Sequence, residues 1–178
     1  FGFMPFYPGP GVGGHCIPLD PTYLAWQSRR DTGVAFQLVE LAQDVNARMP
    51  AYVASRIVAA LNDNGKSVRD SRILALGVTY KPDVGDVRES AAIEVLERLA
   101  RRGAVVAYHD PFVERITERG LRLRRVALTT RALAAADCVA VLTPHTSYDL
   151  DRVVRAARLV FDARNAITSA DPAKVVTL

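Results

Sequence analysis

The sequence predicts an α/β fold in which a helical segment is followed by a doubly wound, mostly parallel sheet. After about residue 66, short apolar runs alternate with segments of helical apolar spacing, a pattern typical of strands and their covering helices. Before that point the apolar residues follow helical spacing. The turn cluster Asn62-Asp-Asn-Gly-Lys66 separates the two regions, so we expect one domain over 1–66 and a second over 67–178.

Two helical stretches are predicted in the first region. Asp20 is expected to cap a short helix that runs from Pro21 to Arg30 and ends near Gly33. The longer stretch, Gln37 to Asn62, is interrupted by Pro50, which predicts either a kink or two abutting helices. Its apolar stripe fits a buried core or a seam between two copies of the chain. The polar side of this stretch carries Asn46, Arg48 and Arg56.

The second region is predicted to alternate strands and helices. Apolar runs predict strands at 73–76, 104–108, 126–128, 138–142, 159–161 and, at the sheet edge, 175–177. Helices are expected at 90–102, 111–119, 130–135 and 151–157. We therefore expect a Rossmann-like domain. In such sheets ligands bind beyond the carboxyl ends of the strands, so the loop over 78–89 is expected to face a ligand.

Composition limits the class of protein. The 178 residues carry a net charge of +4, and no apolar run approaches the roughly 18 residues that a membrane span needs. The first residues do not show the charged segment followed by an apolar segment that a secretory leader has, so we expect a cytoplasmic protein. Cys16 and Cys138 lie far apart and predict reduced thiols rather than a disulfide framework. His15, His109 and His145 do not form, with each other or with these cysteines, a spacing that is typical of metal ligands. No metal site is therefore expected.

The positive charge is carried almost wholly by arginine, most densely between Arg115 and Arg131. Surfaces that bind nucleic acid interleave aromatic rings with such charges, and this patch contains none. We therefore interpret the patch as solvated surface that at most attracts a polyanionic substrate weakly. Neither a nucleic acid nor a membrane is expected as a partner.

A glycine- and proline-rich loop, Tyr7 to Tyr23, presents a single thiol. Its glycines allow the backbone to approach a ligand closely, and its prolines argue against a regular helix or strand. Cys16 is therefore a candidate nucleophile, and Asp20 a carboxylate that could orient or deprotonate a water molecule. Cys16 could instead be a small buried hydrophobic residue, and Asp20 could be only a helix cap. The residues alone do not decide between these interpretations.

The loop after the first predicted strand contains Tyr80 and Lys81 side by side. An ammonium group at this edge of the sheet could neutralise a phosphate, and the ring could stack on a base. A solvent-exposed lysine is the simpler alternative. Arg88 lies between Asp86 and Glu89 and could merely pair with them.

The same region lacks a dinucleotide-binding fingerprint, because Gly77 and Gly85 are too far apart for one. Asp110 follows the second predicted strand, where such a fold places its ribose-binding carboxylate. Asp110-Pro111 is more simply a helix start. We therefore do not expect this sheet to hold a dinucleotide in the usual manner.

Three motifs resemble one family in matching order and spacing. Gly11-Val-Gly-Gly-His-Cys-Ile-Pro-Leu-Asp20 resembles the catalytic-cysteine motif of nucleotide-sugar 6-dehydrogenases, the UDP-glucose/GDP-mannose dehydrogenase family. Gly77-Val-Thr-Tyr-Lys-Pro-Asp-Val-Gly-Asp-Val-Arg-Glu-Ser90 resembles the loop that opens the family's nucleotide-binding C-terminal domain. Phe161-Asp-Ala-Arg164 resembles its late Phe-Asp-x-Arg motif. The resemblance covers the whole chain.

The resemblance implies oxidation of the C6 alcohol of a UDP-sugar to a carboxylate with two NAD. Cys16 would form a thiohemiacetal and then a thioester, and Asp20 would assist the hydrolytic water. Arg88 would face the cofactor, and the helices over 37–62 would pair two subunits as a homodimer. The residues implied on the substrate side are Tyr7, Gly13, Gly14, Tyr80, Lys81 and Arg164.

The resemblance also implies what this sequence lacks. The family's NAD-binding domain lies upstream of these motifs, and this sequence begins with Phe1 rather than Met. We therefore expect the C-terminal portion of such an enzyme, without dehydrogenase activity on its own. Leu19 stands where UDP-glucose enzymes commonly carry Lys, and the motif is closer to members that act on UDP-N-acetylhexosamines. A non-catalytic nucleotide-sugar-binding or dimerisation module is the alternative.

Overall fold

In the computed structural model, which describes residues 2, 5–168, 171 and 173–178, two helices precede an α/β sheet domain. The expected fold class is confirmed. The elements are α1 Cys16–Thr32, α2 Gln37–Asp63, β1 Arg72–Leu76, α3 Ala91–Arg101, β2 Val105–His109, β3 Arg115–Ile116, β4 Leu123–Arg124, α4 Thr130–Ala135, β5 Cys138–Val141, α5 Leu150–Ala156, β6 Val160–Asp162 and β7 Val175–Thr177. Within the described ranges, none of the helices combines the length and the apolar character that crossing a bilayer requires.

The main sheet contains five parallel strands in the order β2-β1-β5-β6-β7. The chain winds outward from β1 in one direction to β2 and in the other direction from β5 to β7. The strand order therefore reverses between β1 and β5, and the loops that follow these two strands separate at that point. In an open α/β sheet this is the position at which a ligand crevice forms.

Alternate residues of each strand face opposite sides of the sheet, and both sides are buried. Ile73 and Ala75 of β1 join a cluster with α2 and α3, whereas Leu74 and Leu76 join a cluster with α4 and α5. Full burial of one such aliphatic side chain stabilises the fold by about 1.5–3 kcal/mol. The second half of α2 belongs to the first cluster through Val53, Ala54, Ile57, Ala60 and Leu61.

In the first region, the predicted start of the first helix is corrected, and one of the two alternatives for the longer helix is excluded. α1 begins at Cys16 rather than at Pro21 and includes both Pro18 and Pro21, so the prolines do not exclude a helix here. Pro18 lies in the first turn, where backbone N–H groups have no helical acceptor in any case. α2 is a single helix that continues through the buried Pro50 rather than two abutting helices.

The segment after β2 also differs from the prediction. Residues 111–119 form no helix, because the Asp110 carboxylate accepts the backbone N–H groups of Phe112 and Val113 and holds a turn. A short antiparallel pair, β3 and β4, follows instead. The predicted strand at 126–128 is likewise absent, although the N–H of Val126 donates to the carbonyl of Tyr108 at 2.9 Å.

Candidate functional site

The glycine-rich loop packs directly against the loop that follows β1. Gly14 has φ +91°, and a Cβ there would lie 2.9 Å from the ring of Tyr80. A Cβ on Gly13 would collide with the carbonyl oxygen of Glu89. The N–H of Gly14 also donates to the carbonyl of Arg88 at 3.3 Å. The two loops can approach this closely only because both positions lack a side chain.

Polar side chains of α2 hold the same loop from its other side. The amide of Asn46 accepts the N–H of Val12 at 2.7 Å and donates to the carbonyl of Val12 at 3.0 Å. The amide of Gln43 donates to the carbonyl of Pro18 at 3.1 Å and accepts the hydroxyl of Thr22 at 2.8 Å. The sequence places Asn46 on a polar helix side without a role. Asn46 lies 34 residues from Val12, so no local pattern in the sequence connects the two.

Cys16 is the first residue of α1, and its side chain is exposed. Asp20 follows one helical turn later on the same face, and it is also exposed. The prediction that Asp20 caps the helix is therefore wrong, because the N-cap position is held by His15. The structure thus places a thiol and a carboxylate next to each other at the beginning of a helix.

Arg88 connects the second loop to the residue before Cys16. Its guanidinium donates to both carboxylate oxygens of Asp86 at 2.6–3.0 Å, and its Nη1 lies 3.2 Å from Nδ1 of His15. The hydrogen bonds from Arg88 lower the pKa of Asp86 to about 2, and the same pairing raises the pKa of Arg88. Arg88 is therefore paired in the structure, in agreement with one of the two alternatives that its acidic neighbours left open.

Tyr80 and Lys81 lie on a turn that is fixed through its backbone. The hydroxyl of Thr79 donates to the carbonyl of Lys81 at 2.9 Å, and the N–H of Tyr80 donates to the carbonyl of Asp86 at 3.1 Å. The ammonium of Lys81 lies 5.5 Å from the centre of the Tyr80 ring. Among the described residues no carboxylate lies within ion-pair distance of Lys81, so its charge is available to a ligand.

Arg164 follows β6 and lies half-buried over Gly9. Burial lowers the pKa of Arg164, and the nearby Asp162 partly opposes this effect. The Asp162 carboxylate accepts the N–H groups of Arg164 and Ile167 at 2.9 and 2.8 Å and so fixes the turn after the strand. No carboxylate of the described chain forms an ion pair with the Arg164 guanidinium.

Arg164 and Tyr7 line the same cavity of about 590 Å³ between the glycine-rich loop, α1 and α2. Its other walls are mainly apolar and include Phe6, Ile17, Val45 and Met49. Cys16 and Asp20 do not line it, although their neighbours Ile17 and Pro21 do. The structure therefore gathers Tyr7 and Arg164 at one cavity, and Gly13, Gly14 and Tyr80 at the contact between the loops.

Asp110 does not offer its carboxylate to a ribose. Its side chain is fully buried and accepts the N–H of Val78 at 2.8 Å in addition to those of Phe112 and Val113. Burial opposes its ionisation, but the hydrogen bonds from His145 and the backbone hold the pKa of Asp110 below its usual value. Across the residues that the structure describes, no three His, Cys, Asp or Glu side chains converge as metal ligands would.

Comparison with known proteins agrees with this organisation. Residues 74–169 match the family model of the UDP binding domain of the UDP-glucose/GDP-mannose dehydrogenase family. Residues 1–48 match the model of the central domain of the same family. The contact between the glycine-rich loop and the second loop therefore joins segments that match two different domains of one family.

Among curated relatives, the UDP-N-acetyl-D-mannosamine dehydrogenase of Methanococcus maripaludis strain C7 is 30% identical over 90% of this chain and 36% of its own length. The Escherichia coli K12 protein of the same name is 31% identical over 79% of this chain and 34% of its own. The chain thus spans about a third of the length of these relatives.

Two solved structures resemble the whole arrangement. The UDP-D-ManNAc dehydrogenase of Pyrococcus horikoshii superposes with a TM-score of 0.80 and is 26% identical, covering 97% of this chain and 40% of its own. The NDP-N-acetyl-D-galactosaminuronic acid dehydrogenase of Methanosarcina mazei superposes with the same TM-score of 0.80. It is 27% identical, and the superposition covers 97% of this chain and 39% of that protein.

Proposed function

Because the chain belongs to the UDP-glucose/GDP-mannose dehydrogenase family, we propose that it is the C-terminal part of an NAD-dependent UDP-sugar 6-dehydrogenase. Contact between the Cys16 loop and the Tyr80–Lys81 loop is the observation that carries the proposal. It brings a candidate nucleophile next to a candidate phosphate-binding edge of the sheet. The two domains that we expect, 1–66 and 67–178, meet at this contact.

The sheet does not fit NAD itself. The loop after β1 lacks the close glycines of a dinucleotide site, and the carboxylate of Asp110 is buried among four donors. NAD would supply the two oxidation steps when held by another part of the enzyme, and of this chain's residues we assign Arg88 to face it. The guanidinium of Arg88 is held in place there by its pairing with Asp86.

Cys16 would supply the covalent step. Its sulfur would attack the carbonyl carbon of the C6 aldehyde, giving a thiohemiacetal and, after oxidation, a thioester. Water would then release the carboxylic acid and regenerate the thiol. Asp20, one helical turn away, is placed to orient or deprotonate that water. The exposure of both side chains fits a site that another part of the enzyme completes.

Two cations are suited to the phosphates of the substrate and to the carboxylate of the product. Lys81 and Arg164 follow β1 and β6 at the carboxyl edge of the sheet, and neither is paired with a carboxylate of the described chain. Tyr80 offers a ring to the base, and Tyr7 lines the cavity beside Arg164. The relatives act on N-acetylated sugars according to their names, so we propose a UDP-N-acetylhexosamine as the substrate.

We also propose a cytoplasmic homodimer. The first half of α2 exposes an apolar face on which Leu38 is 80% and Leu41 57% accessible. This exposed part of the 37–62 helical region is suited to a second copy of the chain. An exposed thiol that must stay reduced fits a reducing compartment. Alone, the chain is expected to bind the nucleotide sugar without turning it over.

Calorimetric titration with UDP, UDP-glucose and UDP-N-acetylglucosamine tests the proposal. Loss of a charge-assisted contact in Lys81→Ala should weaken UDP binding by about tenfold or more. Lys66→Ala is the matched control, because Lys66 pairs with Asp137 before β5 at the opposite edge of the sheet. Equal affinities in both variants would contradict the assignment. Absence of UDP binding both by this chain and by the chain joined to its upstream domain would overturn the proposed function.

A further inference from the structure

His145 lies in the loop after β5, only 2% exposed, and both of its ring nitrogens are engaged. Nδ1 accepts the backbone N–H of Asp83 at 2.9 Å, and Nε2 lies 2.9 Å from Oδ2 of Asp110. Because an N–H can only donate, Nδ1 carries no proton. Nε2 therefore carries the proton and donates it to Asp110. The two contacts together select one neutral tautomer.

Two aromatic rings pack against the imidazole at an angle, and Asp110 binds its Nε2. Phe112 and Tyr148 pack against it with ring centroids 5.1 and 5.4 Å away. Asp110 is itself fixed by the backbone N–H groups of Val78, Phe112 and Val113. His145 is thus a rigid group that is anchored to the carboxyl ends of β1 and β2.

The turn that His145 holds is the one that presents Tyr80 and Lys81. Asp83 has φ +60°, an uncommon conformation for a residue with a side chain. Its N–H donates to His145, and its carboxylate accepts the N–H of Thr146 at 3.0 Å. The backbone N–H and the carboxylate of Asp83 are therefore both hydrogen-bonded to the loop after β5. The exposed side chain of Lys81 has no ion pair within the described chain, so the backbone of the turn and the neighbouring Tyr80 ring set its position.

We propose that His145 is a positioning residue for nucleotide binding: through the Asp83 N–H it fixes the turn that presents Lys81 to the phosphates. This inference rests on the proposed function. It differs from a purely structural role, in which the hydrogen bond to the buried Asp110 would be the important one. Nδ1 accepts the Asp83 N–H, whereas Nε2 faces Asp110 at 2.9 Å and, more distantly, the hydroxyl oxygen of Thr79 at 3.4 Å. The Asp83 contact therefore belongs to Nδ1 alone, and substitution can separate it from the contacts of Nε2.

Asparagine places its amide near the position of Nδ1, whereas glutamine places its amide near that of Nε2. His145→Asn can therefore keep an acceptor for the Asp83 N–H, and His145→Gln can keep a donor for Asp110. Calorimetry with UDP should show His145→Asn within about threefold of the wild-type affinity and His145→Gln about tenfold weaker. In the double variant with Lys81→Ala, the effect of His145→Gln should be smaller than in the wild-type background.

Hydrogen exchange of the Asp83 amide, followed by NMR without ligand, provides a second measurement. Slow exchange is expected in the wild type and in His145→Asn, and fast exchange in His145→Gln. The thermal midpoint of each variant shows whether it is folded. Equal UDP affinities for the Asn and Gln variants, or fully multiplicative effects with Lys81→Ala, overturn the inference alone. If the wild-type chain and the chain with its upstream domain both fail to bind UDP, the proposed function is overturned and this inference with it.

Discussion

The ring of Tyr80 occupies the space that a side chain on Gly14 would need. A Cβ added to Gly14 would lie 2.9 Å from one ring carbon and 3.1 Å from the next. The two residues belong to the two loops of the candidate site, so this contact determines how close the thiol loop approaches the loop that carries Tyr80 and Lys81. Steric fit between the loops therefore controls the geometry of the site.

Gly14→Ala should force the two loops apart. Gly14 and Gly33 both have positive φ, +91° and +72°, but a Cβ on Gly33 would meet nothing within 4 Å. Backbone strain alone should cost about 1–2 kcal/mol in either variant. Urea unfolding should therefore show a larger loss for Gly14→Ala than for Gly33→Ala, and only Gly14→Ala should weaken UDP binding. Identical losses and affinities would mean that the Tyr80 contact has no energetic role.

The two thiols should differ sharply in reactivity. Cys16 is exposed at the start of α1, whereas Cys138 is fully buried on β5, where burial raises its pKa to about 12. The thiolate is the reactive form, so a thiol reagent at about pH 8 should label one cysteine in the native chain. Denaturation should expose the second. Cys16→Ser should abolish the fast reaction, and Cys138→Ser should leave it unchanged.

Asn46→Ala should release the glycine-rich loop from α2. The variant loses two hydrogen bonds to Val12 and leaves their backbone partners partly buried, so we expect a loss of about 1–3 kcal/mol in the free energy of unfolding. Asn62→Ala, at an exposed position of the same helix, should change stability by less than about 0.5 kcal/mol. Urea denaturation measures both. A stable Asn46→Ala variant would show that Gln43 and the second loop suffice to hold the loop.

Stability should depend on pH through Asp110. Its pKa is lower in the folded chain than in the unfolded one, so its contribution is fully present above the unfolded value of about 3.9 and is lost as pH falls through the folded value. Asp110→Asn should remove this contribution by placing an amide N–H₂ among backbone donors. The stability difference between wild type and variant should therefore be constant near neutral pH and shrink below about pH 4.

A constant difference down to about pH 2 would show that Asp110 is not the titrating group. Asp149→Asn is a suitable control. Asp149 caps α5 from an exposed position, where its carboxylate accepts a single backbone N–H, from Arg152 at 2.8 Å. Its stability difference from the wild type should be smaller at neutral pH than that of Asp110→Asn.

The centre of the sheet is predictable from sequence because its inner strands are buried on both faces and consist of short apolar runs, as in β1 and β5. The start of α1 is not predictable in the same way. His15 offers no side-chain cap, and Pro18 and Pro21 ordinarily indicate the end of helical structure. Pro18 lies in the first turn, where it loses no helical hydrogen bond, so it permits the earlier start, whereas Pro21 lies inside the helix, which continues through it.

The role of His145 cannot be found from sequence because its partners are distant along the chain. Asp83 and Asp110 lie 62 and 35 residues away, and no local spacing relates the three. The turn at Asp110 escapes prediction for a related reason, since a carboxylate before proline predicts a helix cap as readily as a turn. Roles that depend on the strand order become visible only when the strands are placed side by side.

The burial of Cys138 limits how an oxidised Cys16 could be repaired. A sulfenic acid formed on Cys16 would need a second thiol to be converted to a disulfide and recovered by reduction. Cys138, the other cysteine of this sequence, is buried in the sheet and cannot supply one without unfolding. Protection of Cys16 from irreversible oxidation therefore depends on a thiol from outside this chain, or on substrate that covers the sulfur.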